Sequence, residues 1–247
     1  MKCIILAAGY ATRLYPLTKN FPKPLLEVAN KPILNHLIED IDLCGDFDEF
    51  IIVSNHKFYP KFKKWAKKLR YNITVLDDSS TCNRNRLGAV KDLQFAIHKC
   101  NIKEDCLVIA GDNMLDFSLF TFMDFTNRKK TSCVMYLEEK DEEKLRHCGV
   151  LELDDYGLVT NVEEKPEHPQ SSYICPPFYF YVASDLARID EALADGCEYD
   201  APGSFLVWLS HKSTIHATEA PGRRFDIGNL ESYQATKRYF ETWEDFK

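Results

Sequence analysis

The first 27 residues constrain this chain more than any other stretch. Lys2–Ala7 (KCIILA) is an apolar run of strand length that empties into a turn of small residues, Ala8-Gly9-Tyr10-Ala11-Thr12, closed by Arg13. Such a turn lets backbone N–H groups approach an anionic group, because few side chains stand in the way. Arg13 and Lys23 bring two cations to the same end of the strand. A buried strand, a backbone cradle and two cations are what a triphosphate requires. The spacing is neither G-x-x-x-x-G-K-[ST] nor a full G-x-G-x-x-G.

With 247 residues the chain can build one sizeable α/β core. A hydrophobic content of 45% with 28% charged residues is that of a soluble globular protein. No apolar run approaches the roughly 20 residues of a membrane span, and the N-terminal stretch is too short for a signal peptide. Nine cysteines, without a C-x-x-C pair, fit neither a disulfide framework nor a zinc site and suggest reduced thiols in a cytoplasmic protein. The seven histidines lack metal-ligand spacing. A formal net charge of −7 argues against extended nucleic-acid binding, and Lys61, Lys63, Lys64, Lys67 and Lys68 read as the wet face of an amphipathic helix.

Strands and helices alternate. A helix is expected from Lys31-Pro32 to Gly45, a strand at Phe50–Val53, a helix at Lys57–Arg70 and a strand at Ile73–Leu76. A polar loop over Asp77–Arg86, a helix at Leu87–His98 and a strand at Cys106–Ala110 follow, the last ending in Gly111-Asp112-Asn113. This order predicts a doubly wound, mainly parallel sheet, a Rossmann-like α/β fold, with ligands beyond the carboxyl ends of the strands. Strand-like runs follow at Cys133–Leu137, Val150–Leu153, Val159–Glu163 and Phe178–Val182, with a hairpin turn at Asp154–Gly157. Helices are expected at Ser184–Leu193, Ser204–His211 and Leu230–Phe240, and short strands at Ile215–Ala217 and Arg224–Asp226. With no linker or repeat in view, the chain reads as a single domain, its first 130 or so residues binding nucleotide and the rest an acceptor.

LAAGYATRLYPLT, followed by KPLLEVANKPIL, resembles the opening of the sugar-1-phosphate nucleotidylyltransferases, most of all the glucose-1-phosphate thymidylyltransferases. Their usual signature is G-x-G-T-R-L-x-P-x-T with a later K-P, and Ala11 stands here in place of the second glycine. The resemblance implies transfer of a nucleotidyl group from a nucleoside triphosphate to a sugar 1-phosphate or similar small phosphate, with release of pyrophosphate. It places Gly9–Arg13 and Lys23 on the triphosphate, with Arg13 gripping phosphate oxygens in bidentate fashion and Lys23 acting as a point charge.

Asp112, at a strand's carboxyl end, suits Mg²⁺, although G-D-N is also a common turn. Asp226 matches the family's second metal-binding aspartate, yet it equally suits a cap for the helix beginning near Asn229. Glu164 and Lys165, in the segment Glu163-Glu164-Lys165-Pro166, are implied to meet the sugar hydroxyls and phosphate of the acceptor. Gly149 should lie near the acceptor, and Tyr179 either lines the same pocket or belongs to the core.

Several departures bear on specificity. The base-reading segment is Thr81–Ala89; within it Asn85 and Arg86 can read base edges or reach phosphates, Gly88 belongs to the nucleotide set, and Asn85 can instead cap the next helix. Pro176-Pro177 replaces a threonine–glycine pair and removes backbone donors from the acceptor region, so the acceptor need not be glucose 1-phosphate. Ala8 is found in pyrimidine-using relatives, which favours dTTP, UTP or CTP over GTP. Alternatives are a cytidylyltransferase acting on a phosphonate or a non-sugar phosphate such as phosphocholine, a nucleotide-sugar glycosyltransferase, and a non-catalytic nucleotide-binding regulator. Against the glycosyltransferase, Gly111-Asp112-Asn113 lacks the second aspartate of D-x-D.

Overall fold

A computed structural model describes residues 1–45 and 47–244. Strand β1 (Lys2–Leu6) is followed by two short 3-10 turns and a small ladder of β2 (Glu27–Val28) with β3 (Lys31–Pro32). Pro32 is therefore the residue before α1 (Ile33–Cys44) rather than part of it: its extended ψ of 138° starts the helix one residue later than the sequence pattern suggests. β4 (Glu49–Ser54), α2 (Tyr59–Ala66), β5 (Ile73–Asp77), α3 (Ala89–Lys99) and β6 (Cys106–Ala110) complete the first half. α2 is shorter than its amphipathic pattern, ending before the lysine-rich stretch reaches Arg70.

The second half contains β7 (Asn113–Leu115), α4 (Phe120–Lys129), β8 (Ser132–Glu138), α5 (Glu142–Leu145), β9 (Gly149–Leu153), β10 (Val159–Glu164), β11 (Tyr173–Cys175) and β12 (Phe178–Tyr181). It closes with α6 (Ala183–Leu186), α7 (Ile189–Ala194), α8 (Gly203–Ser210), β13 (Ile215–Glu219), β14 (Arg224–Asp226) and α9 (Leu230–Glu244). The single helix expected over Ser184–Leu193 is two. Asp185 accepts from Ser132 and Ser213 at 2.6 Å each, which anchors α6 to β8 before the chain restarts as α7. The Asp154–Gly157 turn forms as read: Gly157, at φ +77°, donates to Asp154 O, and β9 pairs with β10.

One mixed sheet of ten strands runs through both halves in the order β10-β9-β11-β8-β12-β6-β1-β4-β5, with β13 parallel to β8. β5, β4, β1 and β6 are parallel to one another, and β12 joins β6 antiparallel. These parallel strands are apolar on both faces, as burial between two helix layers demands. Ile4, Ile51 and Val108 pack toward α3 and α8, while Ile5, Ile52 and Ile109 pack toward α1, α2 and α4. Leu6 lies opposite Ala110, and Gly111 N donates to Leu6 O at 3.0 Å, so the segments after β1 and β6 leave the sheet side by side. Among the described residues no helix is long and apolar enough to cross a membrane.

Candidate active site

The loop after β1 is held from below by a residue that the sequence pattern does not single out. Asn55, fully buried at the end of β4, donates to Ala8 O at 2.8 Å and accepts from Phe58 N at 3.0 Å. Tyr10 turns inward, packing near Phe58 and donating its hydroxyl to Ser80 O at 2.9 Å. Only its backbone is left to serve the loop's outer side. Ala11 adopts φ 45° and ψ 46°, the left-handed region that favours glycine. It is held there by Thr18 and Leu14, which both donate to its carbonyl. Thr12 and Arg13 form an exposed 3-10 turn above it. Gly9 needs no special backbone angle, and a methyl placed on it would meet no protein atom. The space is left for something other than the chain.

A cavity of about 140 Å³ opens there, lined by Gly9, Ala11, Arg13, Lys23, Asp112 and Gly228 among others. Lys23 is buried in its 3-10 turn, and its Nζ donates to Asp112 Oδ2 at 2.8 Å and lies 3.9 Å from Asp226 Oδ1. The two aspartates thus meet at one ammonium. β14 pairs antiparallel with β7, placing Asp226 opposite Asn113, the neighbour of Asp112. Arg224 braces the arrangement: its Nε donates to Asn113 Oδ1 at 2.6 Å and its guanidinium stands 3.5 Å from Asp226 Oδ2. Burial pushes the Asp112 carboxyl pKa up, but the charge and hydrogen bond of Lys23, with Arg224 behind, hold it below the usual carboxylate range. Asn113 is fully buried and committed to Arg224, Ala110 O and Asp112, so it offers no second metal ligand of the D-x-D kind.

Leu6, Gly9 and Asp112 also border a second cavity, of about 270 Å³, which is lined as well by Arg86, Gly88, Asp92, Asp200 and Pro202. Gly88, at φ +95°, precedes α3, and a Cβ there would stand 2.5 Å from Tyr199 O. Glycine is required by this contact, because the first amides of α3, Ala89 and Val90, donate to Asp200 O and Tyr199 O. Arg86 makes a bidentate pair with Asp200, Nε and Nη2 each at 2.8 Å, which ties the segment before α3 to the one before α8. Asn85 does not line this cavity. Its Oδ1 accepts from Thr81 N and Cys82 N, so it shapes its own turn instead of capping α3 or facing a ligand.

Asp200 links onward to a third cavity of about 550 Å³, lined by Glu164, Lys165, Cys197, Ser204 and Trp208 among others. Glu164 lies in a cradle of two glycines. A Cβ on Gly149 would come within 3.2 Å of its Oε2, and one on Gly203 would overlap that atom. Burial pushes the Glu164 carboxyl up, and Lys165, 3.8 Å away, partly offsets it. Lys165 itself is in the left-handed region at φ 52°, where β10 ends. Tyr179 is buried beneath the cradle and does not border the cavity; burial drives its phenol pKa up.

The residues assembled at the carboxyl ends of β1 and β6 are therefore Gly9–Arg13, Lys23, Asp112 and Asp226, with Glu164, Lys165 and Gly149 across the sheet. Asn55, Arg224, Gly203 and Asp200 are supports that sequence reading missed. Arg224 alone left a signal: two positions from Asp226 in a strand, it shares that residue's face.

Comparison with known proteins gives the family. The chain is 28% identical over 234 residues to the UTP–glucose-1-phosphate uridylyltransferase AglF of Haloferax volcanii, covering 94% of this chain and 93% of that one. It is 32% identical over 186 residues to a glucose-1-phosphate thymidylyltransferase of Streptomyces antibioticus, covering 73% of this chain but only 49% of the relative. The crystal structure of a UDP-glucose pyrophosphorylase with UDP-glucose shares the fold, with a TM-score of 0.79 at 21% identity and 98% of both chains covered. The profile of the nucleotidyl transferase family matches residues 2–242, and this chain belongs to that family.

Proposed function

We propose that the protein joins a nucleoside triphosphate, one of the pyrimidine triphosphates UTP, dTTP or CTP, to a sugar 1-phosphate, forming a nucleotide-sugar and releasing pyrophosphate. The observation that carries this reading is the meeting of Asp112 and Asp226 at the Lys23 ammonium, directly beside the Gly9–Arg13 loop. The two relatives in which such transfer is named cover most of this chain.

In this reading the triphosphate lies along the loop. Backbone amides and Arg13 hold its outer phosphates, and Lys23 neutralises charge that grows on the departing pyrophosphate. The acceptor occupies the third cavity, its phosphate met by Lys165 and its hydroxyls by Glu164. An acceptor phosphate oxygen displaces pyrophosphate at the α-phosphorus. That oxygen is already anionic, so no general base is needed, and the protein contributes chiefly position and charge.

Two exposed-edge carboxylates that share one cation are a fitting donor set for Mg²⁺, which takes one or two carboxylates and fills its shell with phosphate oxygens and water. Among the described residues no cluster of three His, Cys, Asp or Glu side chains competes with them. Asp112 and Asp226 would hold the ion, which when bound supplies charge neutralisation at the reacting phosphates. All nine cysteines carry free thiols, which supports a reducing, cytoplasmic setting.

A pyrophosphate-release screen tests the reading, pairing four nucleoside triphosphates with hexose 1-phosphates, phosphocholine and a phosphonate. Mg²⁺-dependent turnover of a pyrimidine triphosphate with a sugar 1-phosphate is expected. Turnover with phosphocholine or the phosphonate alone would replace the acceptor, and nucleotide binding without turnover of any acceptor would make the protein a regulator.

A further inference from the structure

One buried acid has no part in the arrangement above. Asp92 sits in the first turn of α3, is 5% exposed, and its Oδ1 has no hydrogen-bond partner. It lines the second cavity. Side chains of a helix tilt toward its N-terminus, so a group in the first turn reaches toward Gly88, which lines the same cavity. A buried carboxyl with no partner costs stability, and such groups persist where a ligand completes them.

What that ligand is follows from charge. Phosphates are drawn to Arg13 and Lys23 at the first cavity, whereas the second cavity, which shares Leu6, Gly9 and Asp112 with it, offers only Arg86, already paired with Asp200. The nucleotide's ring, not its phosphates, therefore belongs in the second cavity. No cation is paired with Asp92: Arg86 is committed to Asp200, and Lys23 to Asp112. The charge acting on it is another acid, Asp78, beyond β5. Burial, reinforced by Asp78, pushes the Asp92 carboxyl up to about 8, so near neutral pH it carries its proton. A protonated carboxyl offers one donor beside one acceptor. The imide edge of uracil or thymine presents the complement, a ring N–H beside a C=O.

We propose that the Asp92 carboxyl is a base-binding group that pairs with the imide edge of a uracil or thymine base in the second cavity. This rests on the nucleotide reading of the site but not on turnover. Its test is equilibrium binding, which separates failure of this proposal from failure of the proposed transfer reaction.

Binding of UTP and of inorganic tripolyphosphate is measured for wild type, Asp92→Leu and Asp92→Asn. Asp92→Leu is expected to weaken UTP at least about 10-fold, as loss of a paired polar edge does, while tripolyphosphate changes less than about 2-fold. Wild-type affinity for UTP should fall roughly 10-fold between pH 7 and pH 9 as the carboxyl ionises and repels the base carbonyl. Asp92→Asn keeps a donor and an acceptor but cannot ionise, so that fall should vanish; titration of the nucleotide itself would remain in both proteins. Unaltered UTP binding in Asp92→Leu overturns the proposal, as does equal loss of UTP and tripolyphosphate. Should Asp92→Leu not fold, the pH profile decides: the same fall in Asp92→Asn as in wild type overturns it.

Discussion

Asp226 stands opposite Asn113 in the β14–β7 ladder, so a residue near the end of the chain is delivered beside Asp112 by backbone pairing alone. Arg224, on the same face of β14, locks that register through Asn113 and steadies the Asp226 carboxylate. The two residues should therefore fail differently. Asp226 is 56% exposed, and its replacement in Asp226→Asn should leave the thermal midpoint nearly unchanged while lowering turnover by about 100-fold or more, the usual loss when a charge-stabilising group is removed. Arg224→Met strands the buried Asn113 oxygen, at a cost of about 1–3 kcal/mol. It should lower both the melting temperature and turnover. Melting curves and pyrophosphate release on the same preparations check the contrast.

Ala11 offers a cleaner test of backbone strain. Its left-handed conformation costs an alanine roughly 1 kcal/mol that a glycine does not bear, although glycine also gains freedom when unfolded. Ala11→Gly should stabilise the protein by up to about 1 kcal/mol in urea titrations. A loss of stability would mean that the loop leaves this conformation in solution.

The parts of the site that were legible beforehand are those written in a few consecutive residues. The β1 strand, its small-residue turn, Arg13 and the Asp112 turn all follow from local pattern, because strand, turn and charge are each set by neighbours in sequence. Asp226 and Glu164 came from resemblance, and the sheet then explains both positions. Asn55, Gly203 and the Arg86–Asp200 pair were not legible, because each acts on a residue brought near only by folding. Asn85 shows how a loop side chain misleads about caps: its oxygen is taken by the amides of Thr81 and Cys82, and Gly88 stands at the cap of α3 instead. The α4 helix escaped notice because Phe120–Lys129 mixes aromatic and polar residues, and its apolar face is defined only by packing against α1 and β8.

Asp92 also predicts how stability changes with pH. Its carboxyl pKa is raised on folding to about 8, so between about pH 4 and pH 8 the folded chain keeps a proton that the unfolded chain has released. The contribution is full below the unfolded pKa and is lost as pH rises through the folded one. The slope is at most about 1.4 kcal/mol per pH unit. Asp92→Asn should therefore be more stable than wild type near pH 8, with an advantage that shrinks toward pH 4. Denaturant titrations at several pH values measure this directly, and a constant difference between the two proteins would refute the raised pKa.

Two glycines should separate the demands of ligand from those of fold. A methyl on Gly9, which borders the first cavity, meets no protein atom, so Gly9→Ala should fold as wild type does. Its cost should appear in the nucleotide: a rise in KM for the triphosphate of about 10-fold or more, because the backbone approach that binds phosphate is blocked. Gly203 is the opposite case. Its missing side chain is the space that Glu164 occupies, so Gly203→Ala must displace that carboxylate or the start of α8. The acceptor KM should rise while the triphosphate KM holds within about 2-fold, and the melting temperature should fall, because overpacking a buried position costs about 1–3 kcal/mol. If Gly203→Ala instead impaired the triphosphate and Gly9→Ala the acceptor, the two ends of the site would have to be exchanged.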